Sequence, residues 1–349
     1  MDLRPSDDET AIDEVFAAFF TNECPIEAVR AAEPLGFDPA AWERLAQTGA
    51  PGMCVDEAAG GGGADLATAA IVATRLGASL APVPLLEHLV ATRLIASVAP
   101  DHGALAGLVE GSAIATLALR PARNGVARLA PAGAVAHVVV ALDGDELVVV
   151  QNDPPGSGPR TTADLPLADR SLADGRTVVA TGTDAVDAHR AAATEWQALM
   201  ASALVGLGAR AIEIGVEYAK ERYQFGVPVG SFQGVQHGLA TAVTGIDGAR
   251  FLASRAVWAL DTGQADGARL APMAFLFAAE TALAAAAASL QYHGGYGFAE
   301  EYDIQLYYRR AKGWPLQYGE PALEYQRLAA MTLPAARTST DAGPVAATV

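Results

Sequence analysis

The chain has 349 residues, 51% hydrophobic and 18% charged, more than one core usually organises, so two or three heavily buried subdomains are expected. A formal net charge of −17 disfavours nucleic acid and anionic membranes as partners, and any anionic ligand then needs a local basic patch. Two cysteines, Cys24 and Cys54, give no disulfide framework and point to a reducing, cytoplasmic setting. The segment Met1–Glu9 lacks the basic and apolar regions of a signal peptide, and no run of about 18 purely apolar residues reads as membrane-spanning.

In chain order, Ser6 to Asp8 can cap a helix whose Ile12, Val15, Phe16, Phe19 and Phe20 share one face. Asp38 and Pro39 set the cap and first position of a second helix carrying Trp42 and Leu45. The run Gly60–Gly63 is followed by Ala64-Asp65, not by the Lys or Ser/Thr of a phosphate loop, so it reads as a connector. Further helices are expected over about 65–77 and 85–98. Short β-type runs follow at 113–119, 135–141, 146–150 and 177–180, with Asp143-Gly144 as a hairpin signal. Helical periodicity resumes over about 188–221, 232–262, 267–292 and 321–332. This divides the chain into an N-terminal helical domain (1–108), a middle β domain (109–187), a C-terminal helical bundle (188–333) and a mobile tail (334–349).

Two stretches stand out from this background. The first is Arg222-Tyr223-Gln224-Phe225-Gly226-Val227-Pro228-Val229-Gly230-Ser231-Phe232-Gln233, and the second is Gln291-Tyr292-His293-Gly294-Gly295-Tyr296-Gly297-Phe298. Glycines this dense end a helix and let backbone amides approach a phosphate or a flat ring, although a plain turn between helices is written the same way. Arg222 beside Glu221 reads either as a surface ion pair or as a phosphate contact. His293 reads as a turn residue, with no second ligand at metal spacing.

Together the two stretches resemble the acyl-CoA dehydrogenase family, whose patterns read R-x-Q-F-G-x-P-I-x-x-F-Q and Q-x-x-G-G-x-G-Y, with Phe298 here in place of the final Tyr. The resemblance implies an α+β fold: an N-terminal helical domain, a small middle β domain and a C-terminal four-helix bundle. It also implies FAD. Arg222 would hold its pyrophosphate or adenosine part, with Phe225 as an apolar wall and Gln233 as an amide partner. Gln291, Gly294 and Gly295 would reach the same part of a flavin whose remainder lies on a neighbouring subunit, which requires a homo- or hetero-oligomer. The implied reaction removes an α proton and a β hydride from an acyl-CoA, with electrons leaving through an electron-transfer flavoprotein.

The family's base is often a glutamate in an E-G-T segment before the last helix. Counting back from Gln326-Arg327 places Glu320 there, while counting forward from Arg310 falls about two residues short, and Pro321-Ala322 replaces Gly-Thr. Glu320 can equally be a helix-terminal acid. Other members carry the base on the helix before the arginine motif, near Trp196, with Glu195 one residue away. Residues 115–125 lack the family's T-E-P-x-A-G-S-D-like loop, and Arg310 stands where Asp is usual. These departures resemble the shorter subunits of heteromeric members acting on CoA esters of steroid side chains.

Overall fold

A computed structural model describes residues 6–333; the expected mobile tail, 334–349, lies outside the described residues. The N-terminal part holds α1 (Asp7–Glu23), α2 (Ile26–Ala31), α3 (Pro39–Ala46), α4 (Leu66–Ser79), α5 (Leu85–Val98) and α6 (Leu105–Glu110). Its caps follow from the sequence. Ser6 and Glu9 form a reciprocal capping box, Asp38 accepts from the amides of Ala40 and Ala41, and Asp65 accepts from that of Thr68. Of the expected α1 face, Phe16 and Phe20 are buried while Val15 is 60% exposed. The amides of Gly61, Gly62 and Gly63 donate to the carbonyls of Asp56, Gly52 and Val55, so this glycine run spends its donors on its own loop.

The middle part contains β1 (Ala115–Leu117), β2 (Val126–Ala130), β3 (Val138–Asp143), β4 (Glu146–Gln151), β5 (Ala168–Ser171) and β6 (Arg176–Thr181). One sheet runs β1-β3-β4-β6, with β1 parallel to β3 and the others antiparallel; β3 and β4 pair in the hairpin register Val140↔Val149. A separate ribbon pairs β2 with β5. Neither of those two strands is foreseen from sequence, and β5 shows why. Its sequence is Ala-Asp-Arg-Ser, and it is held because buried Arg170 donates to the carbonyls of Gly133 (2.8 Å) and Ala136 (2.5 Å), which no local pattern announces.

The C-terminal part begins with α7 (Gly182–Glu221), earlier than the expected 188. A two-stranded hairpin, β7 (Tyr223–Gln224) and β8 (Val227–Pro228), leads to α8 (Gln233–Asp261), α9 (Gly267–Tyr292), α10 (Ile304–Gly313) and α11 (Pro321–Thr332). The bundle forms on α7, α8 and α9, with α10 packed on α7 and α9 and α11 packed on α9. Helix α10 is unannounced because charge interrupts it. Its Arg309 bonds Glu33 (2.7 Å) and Asp164 (2.5 Å), and buried Arg310 bonds Glu33 (3.1 Å), joining all three parts of the chain. Helices α7 and α9 are long and apolar enough to cross a membrane, but 72% and 56% of their apolar windows are buried inside this fold, where they serve as core helices.

Two polar ties run through α5, which is buried on nearly every side. The Glu87 carboxylate oxygen Oε1 accepts from the Trp196 indole (3.1 Å), joining α5 to α7. The neighbouring His88 donates from Nε2 to the Leu108 carbonyl (3.0 Å) and accepts the Ala115 amide at Nδ1 (3.1 Å), joining α5 to α6 and β1. That arrangement requires the neutral ring, and burial lowers the His88 pKa to about 4. The unfolded chain therefore binds a proton below about pH 6.5 that the folded chain refuses until about 4, so stability falls as pH falls through that window. Between pH 7 and pH 5 the loss from His88 should be about 2 kcal/mol. Denaturant unfolding at the two pH values, on the parent and on His88→Gln, checks this by the disappearance of that share of the slope.

Helices α4 and α7 touch backbone to backbone. A Cβ on Gly77 would lie 1.8 Å from the Ala203 carbonyl oxygen, and one on Gly206 would lie 1.9 Å from that of Thr74. Gly206→Ala should cost about 1–3 kcal/mol in a thermal or chemical melt. Gly103→Ala, which meets open space, should cost nothing measurable.

Candidate active site

The first predicted group of residues gathers where α7 stops, α8 starts and α9 stops. Beyond Glu221 the chain turns back through Phe225 (φ +55) and Gly226 (φ +82), both left-handed, as a two-residue hairpin with this twist requires. Glycine meets that demand freely and phenylalanine does not. Yet Phe225 is 93% exposed, and among the described residues its one aromatic neighbour is Phe232 at 6.3 Å between centroids. A bulky ring held in a strained turn and left in solvent does nothing for the fold of its own chain.

Arg222 lies beside this turn, half-buried, with its guanidinium 5.5 Å from the Tyr296 ring. It thereby joins the two sequence motifs. Among the described residues no carboxylate comes within 4.0 Å of it, so its charge is unspent. Gln233 opens α8, whose N-terminus carries no side-chain cap, leaving amide donors and the positive end of the helix dipole available. Gln291, Gly294 and Gly295 are exposed at the end of α9. Gly294 is left-handed (φ +61), and a Cβ at either glycine would meet nothing within 4 Å. Gly297 differs, because its Cβ would strike the Leu290 carbonyl at 2.4 Å; this glycine serves packing. His293 is buried, stacked on Tyr218 at 4.0 Å and bonded to the Ser289 carbonyl, consistent with its reading as a turn residue.

The second feature is a cleft of 640 Å³ between the β domain, the start of α7 and the segment leading into α11. Arg120, Arg123, Arg128, Arg190 and Arg327 contribute to its walls, and among the described residues no Asp or Glu does. Arg128, Arg190 and Arg327 pair with Asp169, Asp187 and Glu324 outside it, whereas Arg120 donates to the Tyr318 carbonyl (2.9 Å). This is the basic patch that the net charge made necessary for an anionic ligand, and sequence reading missed it. The arginines are scattered over two hundred residues and converge only through the fold. At the rim, exposed Leu129 is left-handed (φ +44) beside an irregularity in β2.

Glu320 is exposed, two residues after the cleft residue Tyr318, and its side chain makes no capping bond to α11. Glu195 does not line the cleft. It pairs with Arg93 on α5 (3.8 Å), and burial raises its pKa against that arginine. Trp196, one residue on, turns the other way and stacks on Tyr318 (6.0 Å, 15°).

The two features are far apart in one chain. Arg190 and Arg222 are separated by 32 positions along α7 and its C-cap, about 48 Å at about 1.5 Å per residue.

Models of the acyl-CoA dehydrogenase N-terminal and C-terminal domains match residues 6–104 and 190–331. The acyl-CoA dehydrogenase IpdE2 of Mycolicibacterium smegmatis is 34% identical over 93% of this chain and 99% of its own length. This chain belongs to the acyl-CoA dehydrogenase family. Among solved structures, the Tcur3481-Tcur3483 steroid ACAD has a TM-score of 0.82 at 28% identity, covering 93% of this chain and 97% of that one. A chain of the ChsE4-ChsE5 complex from Mycobacterium tuberculosis has the same TM-score at 24% identity, covering 96% and 100%. In this member of the family the two motifs that carried the resemblance therefore lie together at one end of the bundle, and the Glu320 segment borders a cleft at the other.

If Phe225 serves a ligand and not the fold, Phe225→Gly should leave melting unchanged or raise stability by up to about 1 kcal/mol, by relieving the left-handed turn. A core phenylalanine would cost about 3–5 kcal/mol when truncated. Calorimetric melts of the two proteins separate the cases.

Proposed function

We propose that this chain is a subunit of an FAD-dependent acyl-CoA dehydrogenase, acting in an oligomer. The observation that carries the reading is the unspent set at the end of α7: Arg222 without a carboxylate, Phe225 strained and exposed, Gly294 and Gly295 with open space before them, and α8 uncapped. The set suits a dinucleotide. Arg222 and the α8 amides would take the pyrophosphate, Gly294 and Gly295 would admit it closely, Phe225 would wall the adenosine, and Gln233 and Gln291 would supply amide partners. When bound, FAD supplies the hydride acceptor. The length of α7 supports an arrangement in which the reacting end of that cofactor would meet a cleft on another chain.

In the cleft, the arginines would hold the phosphates of a CoA ester against the chain's overall negative charge. An α C–H beside a thioester is far too weak an acid for a carboxylate in water. Glu320, as the base, would take that proton only once the acyl group and a neighbouring chain cover it and strip its water, which raises its basicity. The electrons would then leave to an electron-transfer flavoprotein.

A second reading is a heteromer in which this chain holds the cofactor end and a different chain performs the chemistry. It is favoured by residues 120–125, Arg-Pro-Ala-Arg-Asn-Gly, which offer arginines and no hydroxyl side chain at the cleft. The protein, purified alone and co-expressed with its genomic neighbours, should show a flavin absorption spectrum in at least one preparation; no flavin in either refutes the cofactor reading. Native mass then separates homo- from hetero-oligomer. In the loaded assembly Glu320→Gln should slow flavin reduction by acyl-CoA at least about 100-fold. An unchanged rate assigns the base to Glu195 or to the partner chain.

A further inference from the structure

Tyr318 stands in the wall of the arginine cleft, two residues before Glu320, and nearly every part of it is tied down. Its amide donates to the Pro315 carbonyl (3.1 Å), and its own carbonyl accepts from Arg120 Nε of the β domain (2.9 Å). Its ring stacks on Trp196 (6.0 Å between centroids, 15°) and meets Phe275 at 60° (5.8 Å). Both partners are buried, and the Trp196 indole is fixed in turn by its bond to Glu87 Oε1 (3.1 Å). The hydroxyl is the exception. Among the described residues it has no hydrogen-bond partner, and its oxygen is not sealed from solvent, which for a residue of this wall means the cleft. Burial raises the pKa of the phenol, with Glu324 acting in the same direction and Arg327 and Arg120 against it, so at neutral pH the group is an O–H donor. A phenylalanine would make the same stack. What the tyrosine adds is one donor, held rigidly, beside the candidate base.

We propose that the Tyr318 hydroxyl is a catalytic hydrogen-bond donor, which holds the thioester carbonyl oxygen of the acyl-CoA while Glu320 takes the α proton. This rests on the dehydrogenase reading above. When the α C–H bond breaks, its proton goes to the Glu320 carboxylate and its electron pair moves toward the thioester oxygen. That pair returns to form the α,β double bond as hydride leaves the β carbon for the flavin. The charge that gathers on the oxygen in between is what the Tyr318 O–H meets, and a donor already fixed in place does so without reorganising. Arg120 adds to this, because its guanidinium lies against the same turn: a Cβ on Gly319 would come within 2.9 Å of its Nη2.

The test uses the flavin-loaded assembly and the fastest-oxidised of a panel of straight-chain, branched and cyclic acyl-CoA esters, isotope-labelled at the thioester carbonyl. The infrared stretch of that carbonyl should lie at lower frequency in the parent than in Tyr318→Phe. The same substitution should slow flavin reduction in single turnovers about 100- to 1,000-fold. Ester affinity should fall by less than about tenfold, and melting should not change, because the stack on Trp196 is kept. A fluorinated tyrosine at position 318, whose O–H ionises at lower pH, should sustain the rate in mild acid and lose it as pH rises through that ionisation; a residue that only packs would do neither. A carbonyl frequency or a rate of flavin reduction left unchanged in Tyr318→Phe would overturn this assignment while leaving the dehydrogenase reading standing. If the parent assembly neither binds nor oxidises any of the esters, the dehydrogenase reading falls and this one with it.

Discussion

The 40 residues of α7 form one unbroken helix, and no other element fixes so much of the molecule. Its first turns help wall the arginine cleft, its middle carries Trp196 and the backbone contact with α4, and its end delivers Arg222 to the exposed hairpin. A helix that long cannot bend its ends together. Cleft and hairpin are therefore separated by a rigid rod, and on the proposed reading they are brought together from different chains. The apolar bulk of the sequence pays for this rod, because α8, α9 and α4 bury most of its circumference.

Around α7 the interior is unusually dependent on small residues and single polar ties. Alanines and glycines let helices approach closely, but they bury little area each and leave few interlocking side chains to set the geometry. The polar ties supply what the alanines do not. Glu87 and His88 are adjacent in α5 yet point to different parts of the protein, one to α7 and the other to α6 and β1. The Glu33, Asp164, Arg309 and Arg310 network likewise joins the N-terminal, middle and C-terminal parts of the chain.

Much of this was readable from the residues. Two capped helices declared themselves because Ser6 and Asp38 act on amides two or three residues away, and the two motifs could be recognised because each is contiguous. What could not be read depends on contacts across the chain. Strand β5 is polar and is held by carbonyls supplied from two other segments; α10 hides its amphipathicity under arginines whose partners lie far upstream. The cleft is assembled from stretches that are distant in the chain, chiefly 119–131, 186–193 and 316–327. Glu87 lies in the first turn of α5, and its burial there, with its bond to Trp196, is set by packing across the chain and by no local pattern.

The unspent residues at the end of α7 have a thermodynamic corollary. A ligand held jointly by two chains favours their union by mass action, by about 4 kcal/mol when its free concentration is about a thousandfold above its dissociation constant. On the proposed reading, occupancy and assembly are then one equilibrium. Dilution would release the cofactor as well as the subunits, and a change at Arg222 would weaken the quaternary structure while leaving the isolated chain as stable as before.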